Sequence, residues 1–282
     1  MPIKPCILIT GVSSGIGLDC ARLLIERGYR VIGTLRREEE GRRLRAELGE
    51  AFTPLLLDVT DQAALPAAVL QVEAWVGEAG LAALVNNAGI ASPGGPLLLQ
   101  PLAEMRSMFE VNLFGLLAVT QAFAPLLGAR RGHAGPVGRL INISSVAGRV
   151  ATPLNGCYAA SKHALEAVSD ALRVELGIHG IEVVVIEPGP IRTPIWDKAR
   201  PDPRYDGSAY QGAMQAMNAL VALNAAKGAP VRRVSQALLR ALQAPRPKPR
   251  YPLHGMWYLA ALVPARWLDR LLARRMALPP RT

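Results

Sequence analysis

Short apolar runs alternate with segments of helical periodicity over most of the chain. The runs that predict strands lie at residues 6–9, 29–34, 55–59, 83–85, 140–143 and 182–186. Between them, apolar side chains recur every three or four residues, as on the buried face of an amphipathic helix. Alternating strands and helices predict a parallel sheet that is covered by helices on both faces. We therefore expect an α/β protein with a doubly wound parallel sheet.

The first strand runs directly into a glycine-rich turn, which a helix follows. The turn is Thr10-Gly11-Val12-Ser13-Ser14-Gly15-Ile16-Gly17. Glycines let a backbone approach a pyrophosphate closely, and the first turn of a helix offers amide donors and the positive end of its dipole. Strand and helix supply the context that a nucleotide site requires, although the spacing Gly-x3-Gly-x-Gly departs from the common Gly-x-Gly-x-x-Gly.

The end of the second strand favours NADP over NAD. An enzyme that prefers NAD is expected to have Asp or Glu there to hold the ribose hydroxyls, whereas this chain has Leu35 followed by Arg36 and Arg37. Arginine binds a 2′-phosphate with two parallel hydrogen bonds. Alternatively, the arginines of this region are solvated charges that neighbouring glutamates balance. We favour a phosphate contact, with Arg36 as the better candidate, and retain NAD(H) as an alternative cofactor.

Three side chains in the middle of the chain suit proton transfer. Tyr158 and Lys162 are four residues apart and share a helix face if the segment from about Cys157 is helical. A free tyrosine has a pKa near ~10, and a neighbouring ammonium lowers that pKa. Such a phenol could donate a proton to a carbonyl oxygen or take one from an alcohol. Ser145 follows a buried strand, at the end where open α/β sheets bind their ligands.

Polar residues also follow or interrupt other predicted elements. The third strand ends at Asp58, and the fourth leads into Asn86-Asn87-Ala88-Gly89, whose small residues leave room for a flat cofactor. A long helix that begins at Pro101 has an apolar stripe that Asn112 interrupts. A polar amide within a helix is usually a satisfied hydrogen-bonding group of the core. A catalytic role for Asn112 therefore needs support from elsewhere.

Two segments depart from the regular alternation. Residues 194–228 carry aromatic, Met and Leu side chains just after the predicted cofactor site, and long insertions beside a site often act as lids. An apolar lid favours a lipophilic substrate, although these residues could equally pack on the body of the domain. We expect residues 1–245 to form the nucleotide-binding catalytic domain and residues 246–282 to form a basic, amphipathic C-terminal extension.

The net charge of +10 is concentrated in this C-terminal extension. Residues 240–282 carry nine Lys and Arg against one Asp, so the rest of the chain has a net charge of only +2. Arg266, Arg270 and Arg274 flank an apolar stripe, which is typical of a helix on a membrane surface. The same composition suits a helix that covers a substrate mouth or a subunit contact, which we favour. Because the basic region lacks interleaved stacking aromatics, we expect no nucleic-acid partner.

The cysteines and the N-terminus indicate a cytoplasmic protein. Cys6, Cys20 and Cys157 are odd in number and lack the spacing of metal ligands, so we expect neither a disulfide framework nor a bound metal. The N-terminus enters a strand without a charged and apolar leader. We find no window with the ~20 apolar residues that a membrane-spanning helix needs.

With these residues in hand, the chain resembles the short-chain dehydrogenase/reductase family over about residues 3–195. The resemblance implies a Rossmann-type fold and a catalytic tetrad of Asn112, Ser145, Tyr158 and Lys162. It also implies cofactor contacts in the glycine turn, behind the second, third and fourth strands, and behind the sixth strand. These are Gly11, Ser13, Ser14, Gly15, Ile16, Gly17, Arg36, Asp58, Val59, Asn87, Ala88, Gly89, Pro188, Gly189, Ile191 and Thr193, with Tyr158 and Lys162.

The same resemblance implies the chemistry. The nicotinamide hydride passes to a carbonyl carbon while Ser145 hydrogen-bonds the carbonyl oxygen and Tyr158 donates the proton. Lys162 lowers the tyrosine pKa and binds the ribose, and Asn112 holds a water that links Lys162 to solvent. Within the family, residues 31–36 and the tail are similar to the 17β-hydroxysteroid and retinol dehydrogenase branch. We therefore expect an NADP(H)-dependent carbonyl reductase or alcohol dehydrogenase with a lipophilic substrate.

Two functions other than catalysis are compatible with the same fold. The same fold could serve as a non-catalytic NADP-binding regulator, or as a membrane-associated scaffold that acts through its basic tail. The intact Ser145, Tyr158 and Lys162 argue against the regulator. Members of the family commonly form dimers or tetramers through the helices that correspond to residues 101–127 and 158–177, so we expect a homodimer or homotetramer.

Overall fold

The fold is built on a sheet of short apolar strands. The structure is a computed structural model that describes residues 4–198 and 202–278. The described residues contain the strands β1 Cys6–Ile9, β2 Arg30–Leu35, β3 Phe52–Leu56, β4 Ala83–Asn86, β5 Arg139–Ile143, β6 Glu182–Glu187 and β7 Arg250–Pro252. They pair in the order β3-β2-β1-β4-β5-β6-β7, and every pair is parallel. The predicted doubly wound parallel sheet is confirmed.

Helices connect the strands and cover both faces of the sheet. They are α1 Gly15–Glu26, α2 Glu38–Leu48, α3 Leu65–Val76, α4 Leu102–Phe109, α5 Leu116–Phe123, α6 Gly156–Glu175, α7 Gln211–Lys227, α8 Arg232–Gln243, α9 Met256–Leu262 and α10 Ala265–Arg275. A π-helical turn, Glu110–Gly115, joins α4 to α5. Such turns are rare and frequently occur at functional sites.

The strand order creates a crevice at one edge of the sheet. The chain builds β1, β2 and β3 outward in one direction and then returns to pair β4 with β1 on the other side. Open α/β sheets bind ligands at this reversal, outside the carboxyl ends of the strands. The glycine turn follows β1 and the Asn86–Gly89 segment follows β4, so both lie at this crevice.

Apolar residues on the strands alternate between two cores. Ile7 and Ile9 on β1 pack in the core under α1, α2 and α8, whereas Leu8 packs in the opposite core with Phe123 of α5. This alternation follows from the two-residue period of a strand. Both cores are mainly aliphatic.

Both bounds of β3 and part of the C-terminal segment differ from the sequence prediction. β3 ends at Leu56, so Asp58 lies beyond the strand and does not end it. β3 begins at Phe52, three residues before the predicted start at residue 55, because an edge strand tolerates Pro54, which lacks an N–H donor. Phe52 is fully buried and pairs with Val31. β7 lies within the segment that we predicted to be an extension, and it pairs with β6. Part of the extension therefore belongs to the sheet.

One helix needs a correction to the sequence analysis. Among the described residues, the helix Leu102–Leu127 is long and apolar enough to cross a membrane by length and composition, with a mean hydropathy of 1.4 and half of its window buried in the protein. Val119, Phe123 and Leu127 on this helix are fully buried in the second core. A core helix meets the same criterion because its buried face and part of its outer face are both apolar.

A matched pair of substitutions tests the core. Leu24→Ala should lower the free energy of unfolding by about 2–5 kcal/mol, because Leu24 is 0% exposed on α1. Leu70→Ala removes the same atoms from a side chain that is 67% exposed on α3. It should change the free energy of unfolding by less than about 0.5 kcal/mol. Denaturant unfolding followed by circular dichroism measures both. Equal losses at the two positions would contradict this description of the core.

Candidate active site

The glycine turn adopts a conformation that requires glycine. Gly11 and Gly15 have φ angles of 70° and 60°, which lie in the left-handed region that other residues rarely adopt. A Cβ on Gly17 would lie 2.3 Å from the carbonyl oxygen of Gly11. The turn is therefore a compact backbone cradle that side chains would fill.

Residues after β4 hold this cradle in place. The side chain of Asn87 donates to the carbonyl oxygens of Thr10 (2.9 Å) and Gly11 (3.0 Å). The backbone N–H groups of Asn87 and Ala88 both donate to the hydroxyl of Thr10 at 2.9 Å. The two motifs that were identified separately in the sequence thus form one hydrogen-bonded unit.

The first turn of α1 fits an anion. Within the described residues, Ser14 precedes the helix without a side-chain cap, and the first turn has no acidic residue. The amide groups of a helix N-terminus and its dipole favour a negatively charged group. Thr193 lies on the other side, with its Cβ 3.4 Å from the position of a Cβ on Gly15. The cradle, the helix end and the loop after β6 together fit the pyrophosphate of a dinucleotide.

The arginine region after β2 is divided between different partners. Leu35 is only 3% exposed and packs in the core, so its side chain does not face the crevice. Arg36 extends into solvent, with Nη1 3.8 Å from Oδ2 of Asp58. Arg37 instead pairs with Glu40 on α2. Arg36 and Asp58 therefore meet at one corner of the crevice, as expected for residues that contact the same end of a cofactor.

Arg43 is a cationic residue of this corner that the sequence analysis placed only among the helix charges. Its Nη2 lies 3.5 Å from the carbonyl oxygen of Ser13 in the glycine turn, and its Nη1 lies 3.4 Å from Glu47. The pattern of α2 showed an exposed face. It did not show that this face lies beside the turn.

Buried amides fix the positions of the central strands. The side chain of Asn86 donates to Thr120 on α5 at 2.8 Å and to Asn142 on β5 at 3.0 Å. Asn142 in turn donates to Ser169 on α6 at 2.9 Å. Oδ1 of Asn86 has no hydrogen-bond partner within the described residues, and the other side-chain bonds of this network join β4, β5, α5 and α6. This network sets α6 against the sheet.

Asn112 joins the loop after β4 to the helix of Tyr158. Its side-chain oxygen accepts from the N–H of Ile90, and its nitrogen donates to the carbonyl of Ile90, each at 2.8 Å. The same nitrogen lies 3.0 Å from the hydroxyl of Ser161. The side chain is thus occupied by protein partners, and the expected water would have to be held by the backbone of the π-helical turn.

Ser145, Tyr158 and Lys162 converge at the carboxyl end of β5. The hydroxyl of Ser145 accepts from the N–H of Ala147 at 3.1 Å, and it hydrogen-bonds the phenol of Tyr158. Lys162 donates to the carbonyl of Ile143 at 2.9 Å, and its Nζ is 5.9 Å from the centroid of the Tyr158 ring. The three groups that the sequence singled out therefore lie together.

The pKa of Tyr158 differs from the sequence prediction. Burial raises the pKa of this phenol above its usual value, and the hydrogen bond with Ser145 opposes the rise. Burial also lowers the pKa of Lys162 to about 8, against the opposing effect of Glu166. We expected Lys162 to lower the tyrosine pKa. In the structure burial sets the direction of both shifts, because it disfavours the charged form of each group.

The loop after β6 forms the wall of the crevice next to Ser145. The carbonyl of Pro188 accepts from the N–H of Val146 at 2.8 Å and lies 3.5 Å from the hydroxyl of Ser145. The carbonyl of Ile191 accepts from the indole of Trp196 at 2.6 Å. The predicted segment Pro188–Thr193 thus extends from Ser145 to the glycine turn.

The predicted lid packs partly on the body and partly against the C-terminal helix. Tyr205 and Met214 form a small apolar cluster with Leu154 and with Met276, which follows α10. A Cβ on Gly95 would lie 2.4 Å from the Tyr205 hydroxyl, so the lid lies against the loop after β4. Residues 199–201 of the predicted lid lie outside the described residues.

A buried charged cluster beside Lys162 escaped the sequence analysis. Arg250 on β7 contacts Glu166 on α6 and Glu187 at the end of β6, at 3.1 and 3.4 Å. Burial and the nearby carboxylate of Glu166 raise the pKa of Glu187 to about 8. An acid directly after the apolar residues 183–186 was the available signal. The described residues contain no group of three side chains suited to a metal ion.

Comparison with known proteins identifies relatives of the whole chain. The family of short chain dehydrogenases matches residues 5–204. The NADPH-dependent 3-dehydrocapnine reductase of Ornithobacterium rhinotracheale is 40% identical over 269 residues, which cover 94% of each protein. Retinol dehydrogenase 16 of Mus musculus is 39% identical over 194 residues, which cover 69% of this chain and 59% of that protein.

A solved structure supports the same assignment. A short chain dehydrogenase from Burkholderia cenocepacia in complex with NADP is 26% identical, with a TM-score of 0.72 and coverage of 99% of this chain and 100% of that chain. The sheet order, the glycine cradle and the convergence of Ser145, Tyr158 and Lys162 agree with the family match. The chain therefore belongs to the short-chain dehydrogenase family.

Proposed function

We propose that the protein interconverts a carbonyl and an alcohol on a lipophilic substrate, with Ser145, Tyr158 and Lys162 as catalytic residues. Membership of the family makes it an NAD(P)-dependent oxidoreductase. The observation that carries the proposal is the convergence of these three side chains beside a cradle that fits a dinucleotide. The reductase and the solved structure described above use or bind NADP, and NADP(H) is the preferred cofactor here.

The polar contacts define a role for each residue in carbonyl reduction. NADPH supplies the hydride when it is bound. The Ser145 hydroxyl is close enough to Tyr158 that both can hydrogen-bond one carbonyl oxygen. Because the pKa of Tyr158 is raised, the phenol is protonated at neutral pH and can donate its proton. Below about pH 8, Lys162 is charged and stabilises the phenolate that proton donation leaves.

The cofactor contacts extend along the crevice. In this proposal the turn from Gly11 to Gly17 binds the pyrophosphate, and Asp58 and Val59 contact the adenine end. Asn87, Ala88 and Gly89 line the middle of the crevice, and Pro188–Thr193 hold the nicotinamide. Ser14 and Arg36 contact the 2′-phosphate, and Arg43 reaches the same corner. Asn112 orders the π-helical turn whose backbone holds a water near Lys162.

Two observations favour a lipophilic substrate. The lid places Tyr205, Met214 and Met217 in one apolar cluster with Leu154, beside the loop after β4. The names of the related proteins include a retinol dehydrogenase and a 3-dehydrocapnine reductase. Met217 at the edge of this cluster is only partly buried, and apolar side chains of this kind line most ligand pockets. Steroids, retinoids and long-chain carbonyl compounds are therefore the classes to test.

We also propose that the protein forms a homo-oligomer through the α4–α5 and α6 helices. Apolar side chains on α4 and the π-helical turn line a shallow depression with Leu102, Met105, Phe109 and Phe114. Leu102 and Phe114 are exposed in the single chain. Contiguous exposed apolar surface of this kind commonly marks a protein interface. A symmetric dimer would bury the same face of both copies.

Peripheral contact with a membrane is a further part of the proposal. Leu262 at the end of α9 and Trp267 and Leu271 on α10 are exposed, and Arg266, Arg270 and Arg274 are exposed on α10. Apolar side chains flanked by arginines suit the surface of an anionic bilayer. The three cysteines are free and buried, which fits a cytoplasmic protein that contacts a membrane from that side.

Replacing the phenol tests catalysis. Tyr158→Phe should lower kcat/KM for NADPH oxidation by about 10²–10⁴-fold while leaving NADPH affinity nearly unchanged, because only the proton donor is lost. Steady-state absorbance at the reduced-nicotinamide band measures this against steroid, retinoid, long-chain and small polar carbonyls. Tyr29→Phe, far from the crevice, is the control. Full turnover by Tyr158→Phe contradicts the mechanism. Binding of NADPH without turnover by wild type supports the regulator alternative.

Replacing Arg36 tests cofactor selectivity. Arg36→Ala should weaken NADPH binding by about 10-fold, because a charged hydrogen bond to the 2′-phosphate is lost. NADH lacks that phosphate, so its affinity should hardly change. Fluorescence titration of both cofactors measures the ratio, and Arg37→Ala is the matched control because Arg37 pairs with Glu40. Equal weakening of NADPH and NADH by Arg36→Ala would contradict the assignment.

Vesicle flotation tests membrane contact and the scaffold alternative. The full chain should float with vesicles that contain anionic phospholipid and should dissociate as salt is raised, because the attraction is partly electrostatic. Replacing Trp267 and Leu271 by Ser should abolish flotation. Replacing Val174 and Ile178 by Ser should not, although these two side chains, at the far end of α6 and in the turn after it, are more exposed than Trp267 and Leu271. Equal flotation of both variants removes α10 from the explanation.

A further inference from the structure

Four ionisable side chains follow one face of α6 from the active site to the surface. Tyr158, Lys162, Glu166 and Asp170 are spaced four residues apart, so their side chains lie above one another. Lys162 and Glu166 are each 5% exposed, whereas the side chain of Asp170 is 44% exposed. The face therefore connects the proposed catalytic groups to solvent through a buried carboxylate.

Arg250 links this face to the end of β6. Its Nε lies 3.1 Å from Oε2 of Glu166 and 3.4 Å from Oε1 of Glu187, and its Nη2 lies 2.8 Å from Oδ2 of Asp170. Glu187 is 0% exposed and immediately precedes Pro188. One guanidinium thus holds carboxylates from the catalytic helix and from the strand that leads into the proposed nicotinamide loop.

The C-terminal extension supplies the remaining contacts. Arg250 lies on β7, and the indole of Trp257 on α9 donates to Oε1 of Glu187 at 2.6 Å. The N–H of Leu253 donates to the carbonyl of Glu187 at 3.0 Å. The guanidinium of Arg149 lies 5.0 Å from the centre of the Trp257 ring. The extension therefore holds Glu187 directly and Glu166 through Arg250.

The charges in this buried region are not balanced by arginine alone. Within the described residues, Oε1 of Glu166 and Oε2 of Glu187 have no hydrogen-bond partner. Two buried carboxylates that share one arginine cannot both ionise cheaply. Because burial and Glu166 raise the pKa of Glu187 to about 8, Glu187 retains its proton near neutrality. Of these two carboxylates, the Glu166 carboxylate is the one that acts on Lys162, where it opposes the lowering of the lysine pKa.

We propose that Glu166 is a positioning residue that keeps Lys162 charged, and that Arg250 of the C-terminal extension holds Glu166 in place for this role. The inference rests on the proposed function of Lys162. Burial of Lys162 favours the neutral amine, and the Glu166 carboxylate one turn away opposes it. The other charged groups around Glu166 are Arg250, Glu187 and Asp170, and Arg149 lies behind Trp257.

Glu166→Gln in the full chain tests the proposal without a change of shape. Loss of the carboxylate should move the alkaline limb of the kcat profile to lower pH by about one unit, because the ammonium is then lost earlier. NADPH affinity should weaken over the same lower pH range, since Lys162 is proposed to bind the ribose. Fluorescence titration of NADPH from pH 6 to pH 10 measures this without turnover.

Asp170→Asn is the matched control. Asp170 contacts the same arginine but lies two turns from Lys162. Its loss should therefore leave the alkaline limb of the kcat profile and the pH dependence of NADPH affinity unchanged. If the alkaline limb of the kcat profile of Glu166→Gln stays at the wild-type pH, the proposal is overturned. Equal shifts in both variants also overturn it, because they indicate a general loosening around Arg250.

Folding and the proposed function are checked separately. Thermal unfolding with and without NADPH identifies a variant that does not fold. If Glu166→Gln does not fold, Glu166→Asp replaces it in the same measurement. Its shorter carboxylate should move the alkaline limb of the kcat profile part of the way to lower pH. An alkaline limb at the wild-type pH would overturn the proposal. If Tyr158→Phe keeps its turnover, the catalytic role of Tyr158 is overturned. The pH dependence of NADPH affinity in Glu166→Gln needs no turnover, so it still tests the role of Glu166.

Discussion

The structure depends on the hydrogen bonds between Thr10 and the segment after β4. One hydroxyl accepts two backbone N–H groups, from Asn87 and Ala88, and Asn87 returns two bonds to the turn. These contacts join the two halves of the sheet at the point where the strand order reverses. They are 2.9–3.0 Å long and partly buried, so a displacement of either segment would leave several polar groups without their partners.

The same network continues from the glycine turn to the catalytic helix. Ile90, just beyond the β4 motif, is held on both sides by Asn112, and Asn112 contacts Ser161. The hydroxyl of Ser161 lies 2.8 Å from the carbonyl of Tyr158. The glycine turn and Tyr158 are thus linked by these hydrogen bonds and by the short backbone segment from Ala88 to Ile90. Their relative geometry therefore does not depend on flexible side chains at the surface.

Burial governs the electrostatics of the site. It raises the pKa of Tyr158 and lowers that of Lys162, so each group is shifted toward its neutral form. A protonated phenol suits proton donation during reduction, whereas a charged lysine must be supported by nearby carboxylates. The cluster of Glu166, Glu187 and Arg250 lies where such support is needed. The C-terminal residues contribute to the site through this cluster as well as through the lid.

The sequence by itself predicted six of the seven strands of the described residues, the glycine turn and the residue types of the site, because these depend on neighbours within a few positions. Periodicity predicted the positions of β1 and β6 closely. Tyr158 and Lys162 lie about one turn apart on α6, as their four-residue spacing predicted. Only the tertiary structure decided that Leu35 faces the core, that Arg43 reaches the turn, and that Arg250 joins Glu166 to Glu187. These contacts depend on which distant segments of the chain pack together and on how much water they exclude. A pattern of neighbouring residues contains neither piece of information.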